Sequence, residues 1–347
     1  MITIHCGLHK TGSSAIQLAL SGVSRGARRK IVTPNPGDDR SDEGWARRLS
    51  VLADTRDAIF SDENLLGEPY DGYQSAPERV SIVRRSLAGA RYQIVVYLRP
   101  QVDWLGSVYL QGVQEGRTVE PGEFWSTLAS RHFLSWSSLV KLLQEQSGAD
   151  RVIVRAYARS RDSVADFMTL CGPNALSRVG RRAIRDNVSI SPLQAPILVA
   201  LNKESELTEE RRRRRREVFQ SLLANQSAPP QSPFQQSIQR EITERFRDDW
   251  QAVTDAIERS DPDEHALFSQ LGSEWDKPPL SFLGDSVEDA AVSQELLRCL
   301  SILLDNVNEP RSHGVWARAW TKLHDDPLDL LGAMARRVGR WELQSRS

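Results

Sequence analysis

Cysteine is scarce. The 347 residues contain three, Cys6, Cys171 and Cys299. Three scattered thiols make neither a disulfide framework nor a zinc-ligand spacing, which excludes a stapled secreted scaffold and points to a reducing compartment. Long apolar runs are missing too. The longest stretches, Tyr92 to Leu98, Ala195 to Leu201 and Leu296 to Leu304, fall far short of the ~18 residues that span a bilayer, and Arg298 interrupts the last. No integral membrane segment is expected. The first residues, Met1-Ile2-Thr3-Ile4-His5-Cys6, read as a strand followed at once by Gly7 rather than as a secretion signal, so a cytoplasmic location is expected. A charge bias is also lacking: 45 Lys and Arg against 46 Asp and Glu leave a net charge of −1. Dedicated nucleic-acid binders carry a basic excess, which weighs against that class for the chain as a whole.

Hydrophobic residues at 39% and charged residues at 26% are enough for a packed core. Strand-like runs fall at Ile2 to Cys6, Lys30 to Thr33, Ala58 to Ser61, Gln93 to Leu98 and Val152 to Ala156. Helical patterns separate them, at Ser13 to Ser24, Gly44 to Ala53, Pro77 to Leu87, Val102 to Glu115 and Trp136 to Gln146. Ile- and Val-rich strands alternating with helices predict an α/β fold, a three-layer parallel sheet covered on both faces. After about Ser160 only helical patterns remain: Asp162 to Leu170, Pro192 to Asn202, Thr208 to Leu223, Gln236 to Glu258, Glu288 to Leu304, Val315 to Leu323 and Leu328 to Trp341. The expected organisation is therefore a core over residues 1–190 and a mainly helical C-terminal part over 191–347, serving as cap, lid or interface. The run Arg211 to Arg216 would point in all directions on a helix and reads as solvated surface.

The most informative segment is Gly7-Leu8-His9-Lys10-Thr11-Gly12-Ser13-Ser14. A strand ends at Cys6 and a helix starts near Ser13. Such a loop turns backbone N–H groups inward, and the helix N-terminus adds roughly half a positive charge, a cradle for a tetrahedral anion. Gly7 and Gly12 have the separation of the nucleoside-triphosphate loop Gly-x4-Gly-Lys-[Ser/Thr], and Ser14 stands at its magnesium-binding hydroxyl. Ser13, however, occupies the lysine position, and Lys10 lies three residues earlier. The spacing predicts a nucleotide with a shorter anionic tail than ATP and no obligatory magnesium. A second constellation is the strand ending in Arg99-Pro100, followed by a helix with Ser107. An arginine at the carboxyl edge of a parallel sheet lies in the ligand crevice, and its planar fork suits phosphate oxygens. The structural alternative pairs Arg99 with an acid such as Asp103.

The first segment resembles the 5′-phosphosulfate loop of sulfotransferases that use 3′-phosphoadenosine 5′-phosphosulfate (PAPS), in which Lys-Thr-Gly-Thr-Thr or Lys-Ser-Gly-Thr-Thr follows the first strand. Serines replace both threonines here and keep the hydroxyls. The resemblance implies a P-loop-like phosphosulfate loop in which Lys10 stabilises the bridging oxygen and Gly7, Lys10, Thr11, Gly12, Ser13 and Ser14 bind the 5′ end. It also implies that Arg99 and Ser107, eight residues apart, hold the 3′-phosphate. Ser61-Asp62-Glu63 is similar to the Ser-x-Glu of polysaccharide-modifying members, which makes Glu63 the expected general base and a small-molecule or glycan hydroxyl the acceptor. A cap for a helical turn is the structural alternative there. His9, beside Lys10, is the second candidate base. The stretch Arg185 to Pro192 resembles an Asn-x-Ser segment of bacterial members and is expected to cap a helix. PAPS is thus the expected cofactor, PAP (3′-phosphoadenosine 5′-phosphate) its product, and no metal is expected. The competing readings are a P-loop-type small-molecule kinase that recruits Asp62 as its magnesium-binding acid, and a non-catalytic nucleotide-binding scaffold. Trp104, Trp125 and Trp136 are weighed as sugar platforms against core packing. Oligomeric state is not legible.

Overall fold

The structure is a computed structural model. It describes residues 1–23, 29–35, 37–158, 160–171, 190, 192, 195–203, 208–210, 213, 232–258, 261–273, 275 and 278–280. The helices expected at Glu288 to Leu304, Val315 to Leu323 and Leu328 to Trp341 lie outside the described residues. So do most of Thr208 to Leu223, including all of the arginine run except Arg213, and the segment Arg185 to Ser189.

Five strands form one sheet: β1 (Ile2–Cys6), β2 (Lys30–Val32), β3 (Ala58–Asp62), β4 (Tyr92–Leu98) and β5 (Arg151–Ala156). Their order is β2-β3-β1-β4-β5, and every neighbouring pair is parallel. Every residue of β1, β3 and β4 is buried, as a sheet covered on both faces requires. The edge strands β2 and β5 are partly exposed.

The helices are α1 (Ser13–Val23), α2 (Asp42–Ala53), α3 (Ala76–Ser86), α4 (Gln101–Gln114), α5 (Pro121–Leu128), α6 (Trp136–Gln146), α7 (Ser163–Leu170), α8 (Ala195–Lys203), α9 (Gln236–Glu258) and α10 (Pro262–Ser273). On one face of the sheet Ile16 and Leu20 of α1 and Phe167 and Met168 of α7 pack with Ile59, Val95, Tyr97 and Ile153. Adjacent strand residues face opposite ways. Phe60 accordingly turns from Ile59 to the other face and meets Trp45 of α2, ring centroids 6.3 Å apart. Burying each large side chain of this kind contributes roughly 1.5–3 kcal/mol.

Two compact units divide the chain. The first comprises Met1–Tyr109, Pro121–Val188 and Gln236–Pro279. Helices α9 and α10, which come later in the chain, belong with the sheet. The reason is polar as much as apolar. Asp249 of α9 accepts from Gln101 Nε2 (2.7 Å), Ser135 Oγ (2.7 Å), Ser137 Oγ (2.5 Å) and the backbone N–H groups of Trp136 (2.7 Å) and Ser137 (3.0 Å), which caps α6 from another helix. Glu264 of α10, fully buried, accepts from Arg155 (2.9 Å), Arg161 (2.8 Å) and the Ala156 N–H at the end of β5. Removing the buried carboxylate would take a shared acceptor from two guanidinium groups and leave the Ala156 N–H without its partner, so Glu264 fixes α10 to that strand end. The second unit comprises Leu110–Glu120, Ser189–Gln235 and Leu280–Ser347. Within it Asn202 Nδ2 of α8 donates to Val113 O and Arg117 O, each at 2.9 Å. Among the described residues no helix is long and apolar enough to cross a membrane.

Candidate functional site

The strand order sets the place. From β1 the chain crosses to β2 on one side, and from β4 it crosses to β5 on the other. The carboxyl ends of β1 and β4 therefore flank the point where the winding reverses, where open parallel sheets hold their ligands. Residues 7–12 leave β1 there, and Arg99 leaves β4 there.

The loop between β1 and α1 is shaped by its backbone. Lys10 has φ 63° and Gly12 φ 82°. Glycine adopts this left-handed region freely, while lysine is strained in it. A Cβ on Gly12 would come within 2.5 Å of Ser163 Oγ and 3.1 Å of Tyr157 Cε2. Thr11 Oγ1 donates to Leu8 O at 2.6 Å and Ser13 Oγ donates to the same carbonyl at 2.9 Å. Both hydroxyl protons thus fasten the loop to itself. Ser14, expected beside them, is exposed. Ile16 N donates to Gly12 O at 3.1 Å, so the helix begins at once, and its first turn presents N–H groups that have no intrahelical acceptor. The arrangement favours an anion through main-chain dipoles.

At the other edge, Arg99 Nη1 donates to Ser107 Oγ at 2.7 Å. The half-buried guanidinium also lies 5.9 Å from the ring centroid of Tyr157. Tyr157 directly follows β5 and therefore touches both halves of the site, Gly12 with its ring edge and Arg99 with its face. The same carboxyl-edge rule that singles out Arg99 applies to Tyr157, yet sequence reading passes it over.

Two tryptophans tie the halves together. Trp104 Nε1 donates to His9 O (2.8 Å) and Trp136 Nε1 donates to Arg99 O (2.8 Å), and the two indoles meet edge to face at 5.3 Å. The Asp249 cap holds Trp136 in turn. Trp104, Trp125 and Trp136 are all buried, which removes them as sugar platforms.

The β1–β3 register pairs Cys6 with Asp62, so Glu63 follows at the level of Gly7, and it is half-buried. Asp62 is committed otherwise. Its Oδ2 accepts from Arg48 at 2.7 Å and its Oδ1 from Asn64 N and Nδ2 at 3.0 and 3.2 Å, which closes the turn after β3. Ser61 Oγ, rather than capping that turn, meets His5 Nδ1 at 2.8 Å. Burial lowers His5 to about 3 and keeps it neutral, and it pushes the Cys6 thiol up to about 12, which leaves that thiol unreactive.

His9 is buried. The hydroxyl of Tyr73 lies 3.1 Å from its backbone N and 3.2 Å from its Nδ1. Tyr73 comes from the loop after β3, and no local signal in the sequence ties it to His9. Of the sequence-predicted residues, then, Gly7 to Gly12 form the loop after β1, Ser13 and Ser14 open α1, Arg99 and Ser107 are bonded to each other, and Glu63 stands at the end of β3. Comparison with protein-family models, with curated proteins and with solved structures finds no match to this chain.

Proposed function

We propose that this chain is a sulfotransferase that moves a sulfuryl group from PAPS to an acceptor hydroxyl, with residues 7–14 as its P-loop-like phosphosulfate loop. One juxtaposition carries the reading: a lysine-bearing anion loop after β1 and an Arg99–Ser107 pair after β4 stand on adjacent strand ends at the winding reversal. A donor with an anion at each end of one nucleoside matches two separated sites better than an unbranched triphosphate does.

PAPS supplies the activated sulfuryl group, whose bond to the bridging phosphate oxygen breaks as one to the acceptor oxygen forms. Lys10 stabilises the charge left on the bridging oxygen. The loop N–H groups hold the 5′ end, and Arg99, oriented by Ser107, holds the 3′-phosphate bidentately. Glu63 takes the proton of the acceptor hydroxyl. Positioning and charge stabilisation account for the rest of the catalysis. The Ser61-Asp62-Glu63 resemblance makes a carbohydrate hydroxyl the first acceptor to test.

The kinase reading is weaker on two observations. Ser13 stands where a kinase loop has lysine, and Asp62, the acid it would recruit, is neutralised by Arg48 and occupied by Asn64. Thermal unfolding with PAP, with magnesium ATP and with buffer tests the choice. PAP at 100 times its dissociation constant should add ~2.7 kcal/mol of stability. Stabilisation by magnesium ATP with no response to PAP would reject the sulfotransferase.

A further inference from the structure

We infer that Tyr73 fixes the tautomer of His9, so that His9 carries its proton on Nε2 and serves the anion loop as a neutral hydrogen-bond donor, not as a base. The argument is one of hydrogen accounting. The His9 backbone N–H can only donate, and at 3.1 Å it takes up a lone pair of the Tyr73 oxygen. The phenol has a single proton of its own. Among the described residues His9 Nδ1, at 3.2 Å, is the acceptor within reach of it. Tyr73 has no exposed surface, so a hydroxyl that donated to nothing would keep the full cost of leaving water. Were Nδ1 protonated instead, two N–H donors would converge on the phenol oxygen and its proton would have no acceptor. Ionising the phenol does not rescue that arrangement. Burial, with the charges of Glu63, Glu68 and Asp71 adding to it, holds Tyr73 well above the ordinary tyrosine range.

The backbone is built around this contact. Among the described residues Lys10 and Tyr73 are the two non-glycines with positive φ, at 63° and 59°. They are joined through His9, which precedes Lys10 and is bonded twice to Tyr73. Trp104 packs on Tyr73, ring centroids 5.8 Å apart, and donates to His9 O. His9 is thus held by its N–H, its carbonyl and Nδ1, and the protonated Nε2 is on the opposite edge of the ring. The consequence for catalysis rests on the sulfotransferase reading. An Nε2–H can donate to a phosphate or sulfuryl oxygen but cannot accept the proton of a hydroxyl, which leaves that task to Glu63.

The test is a long-range proton–nitrogen NMR correlation on the full chain labelled at histidine nitrogen. The expected pattern is an unprotonated, pyridine-type Nδ1 and a protonated, pyrrole-type Nε2. A pyrrole-type Nδ1 overturns the assignment. The His9 signals are identified independently as those that His9→Gln removes. In Tyr73→Phe, with the other histidine signals unmoved as the check on folding, the Nδ1 resonance should shift toward the tautomer-averaged position. An Nδ1 that ignores the loss of the hydroxyl also overturns it. Adding PAP to the wild-type protein should move Nε2 more than Nδ1. If PAP binds and neither nitrogen responds, the donor role falls. If PAP does not bind at all, the sulfotransferase reading falls while the tautomer result stands by itself.

Discussion

Under the proposed function, the ends of β1 and β4 would each hold an anion, by opposite means. After β1 the donors are main-chain N–H groups, and the hydroxyls of Thr11 and Ser13 are spent on Leu8 O inside the loop. After β4 a single guanidinium does the work, held by Ser107 and faced by Tyr157. The first site depends on backbone shape, which those two hydroxyls fasten. The second depends on one side chain. Trp104 holds a carbonyl of the first site, His9 O, Trp136 holds one of the second, Arg99 O, and the two indoles pack on each other, so the separation of the sites is fixed by buried aromatic contact.

That contrast can be broken experimentally, and the largest effect concerns Glu63, the proposed proton acceptor at the end of β3. Glu63→Gln should lose turnover by ~10²–10⁴, while PAP still binds. Steady-state rates with labelled PAPS, after a screen of sugar, phenol and lipid alcohols for an acceptor, check this, and a fully active variant would remove Glu63 as base. Next, Gly12→Ala should abolish binding of both PAP and adenosine 5′-phosphosulfate, because a left-handed φ of 82° and contact with Ser163 leave no room for a Cβ. Calorimetric titration reads both ligands. Arg99→Ala should weaken PAP by ~1.5–3 kcal/mol, the worth of a charge-assisted bond, yet leave adenosine 5′-phosphosulfate, which lacks the 3′-phosphate, nearly unchanged. Equal weakening of both would make Arg99 structural. A smaller version of the same split is expected of the indoles. Trp136→Phe, which removes the bond to Arg99 O, should cost about 1 kcal/mol of PAP binding and little for the shorter nucleotide. Trp104→Phe should weaken both.

A separate effect, on stability and not on binding, is read against pH. His5 is neutral in the folded chain with its pKa near 3, against 6.5 when unfolded. The unfolded state then binds more protons below pH ~6.5, so this contribution is present at neutral pH and is lost progressively as pH falls from 6.5 toward 3. In urea titrations across that window His5→Gln should show a shallower loss of stability than the parent. An unchanged slope would show that His5 does not titrate on unfolding as its burial requires.

What could be read in advance follows from where each signal resides. The five strands are apolar, β-branched runs, and each forms within a residue or so of its expected limits. The loop at 7–14 and the pairing of Arg99 with Ser107 were legible because their residues are close in sequence, eight apart at most. Helix α5 was not, since Gly122 and the short apolar face of Phe124, Trp125 and Leu128 give little local preference and burial decides the outcome. Helix α10 was missed for a different reason. Its buried face carries Glu264, a carboxylate that breaks the apolar period and is tolerated only because Arg155, Arg161 and Ala156 N meet it. Asp261, whose Oδ1 accepts from Glu264 N, followed by Pro262, was the start signal to weigh. Tyr73, Tyr157, Trp104 and Trp136 act across 37 to 145 residues of chain, as His9 with Tyr73, Gly12 with Tyr157, and Arg99 with Trp136 show. No local pattern encodes such pairings.

The central claim is that one nucleotide spans both sites, anchored at the backbone loop and at Arg99. Calorimetric titration of the wild-type protein with PAP in the absence of magnesium tests it most directly. The account predicts saturable binding of one PAP per chain, tighter than that of adenosine 5′-phosphosulfate and indifferent to added magnesium. Binding of ATP that requires magnesium, with no heat from PAP, would contradict it.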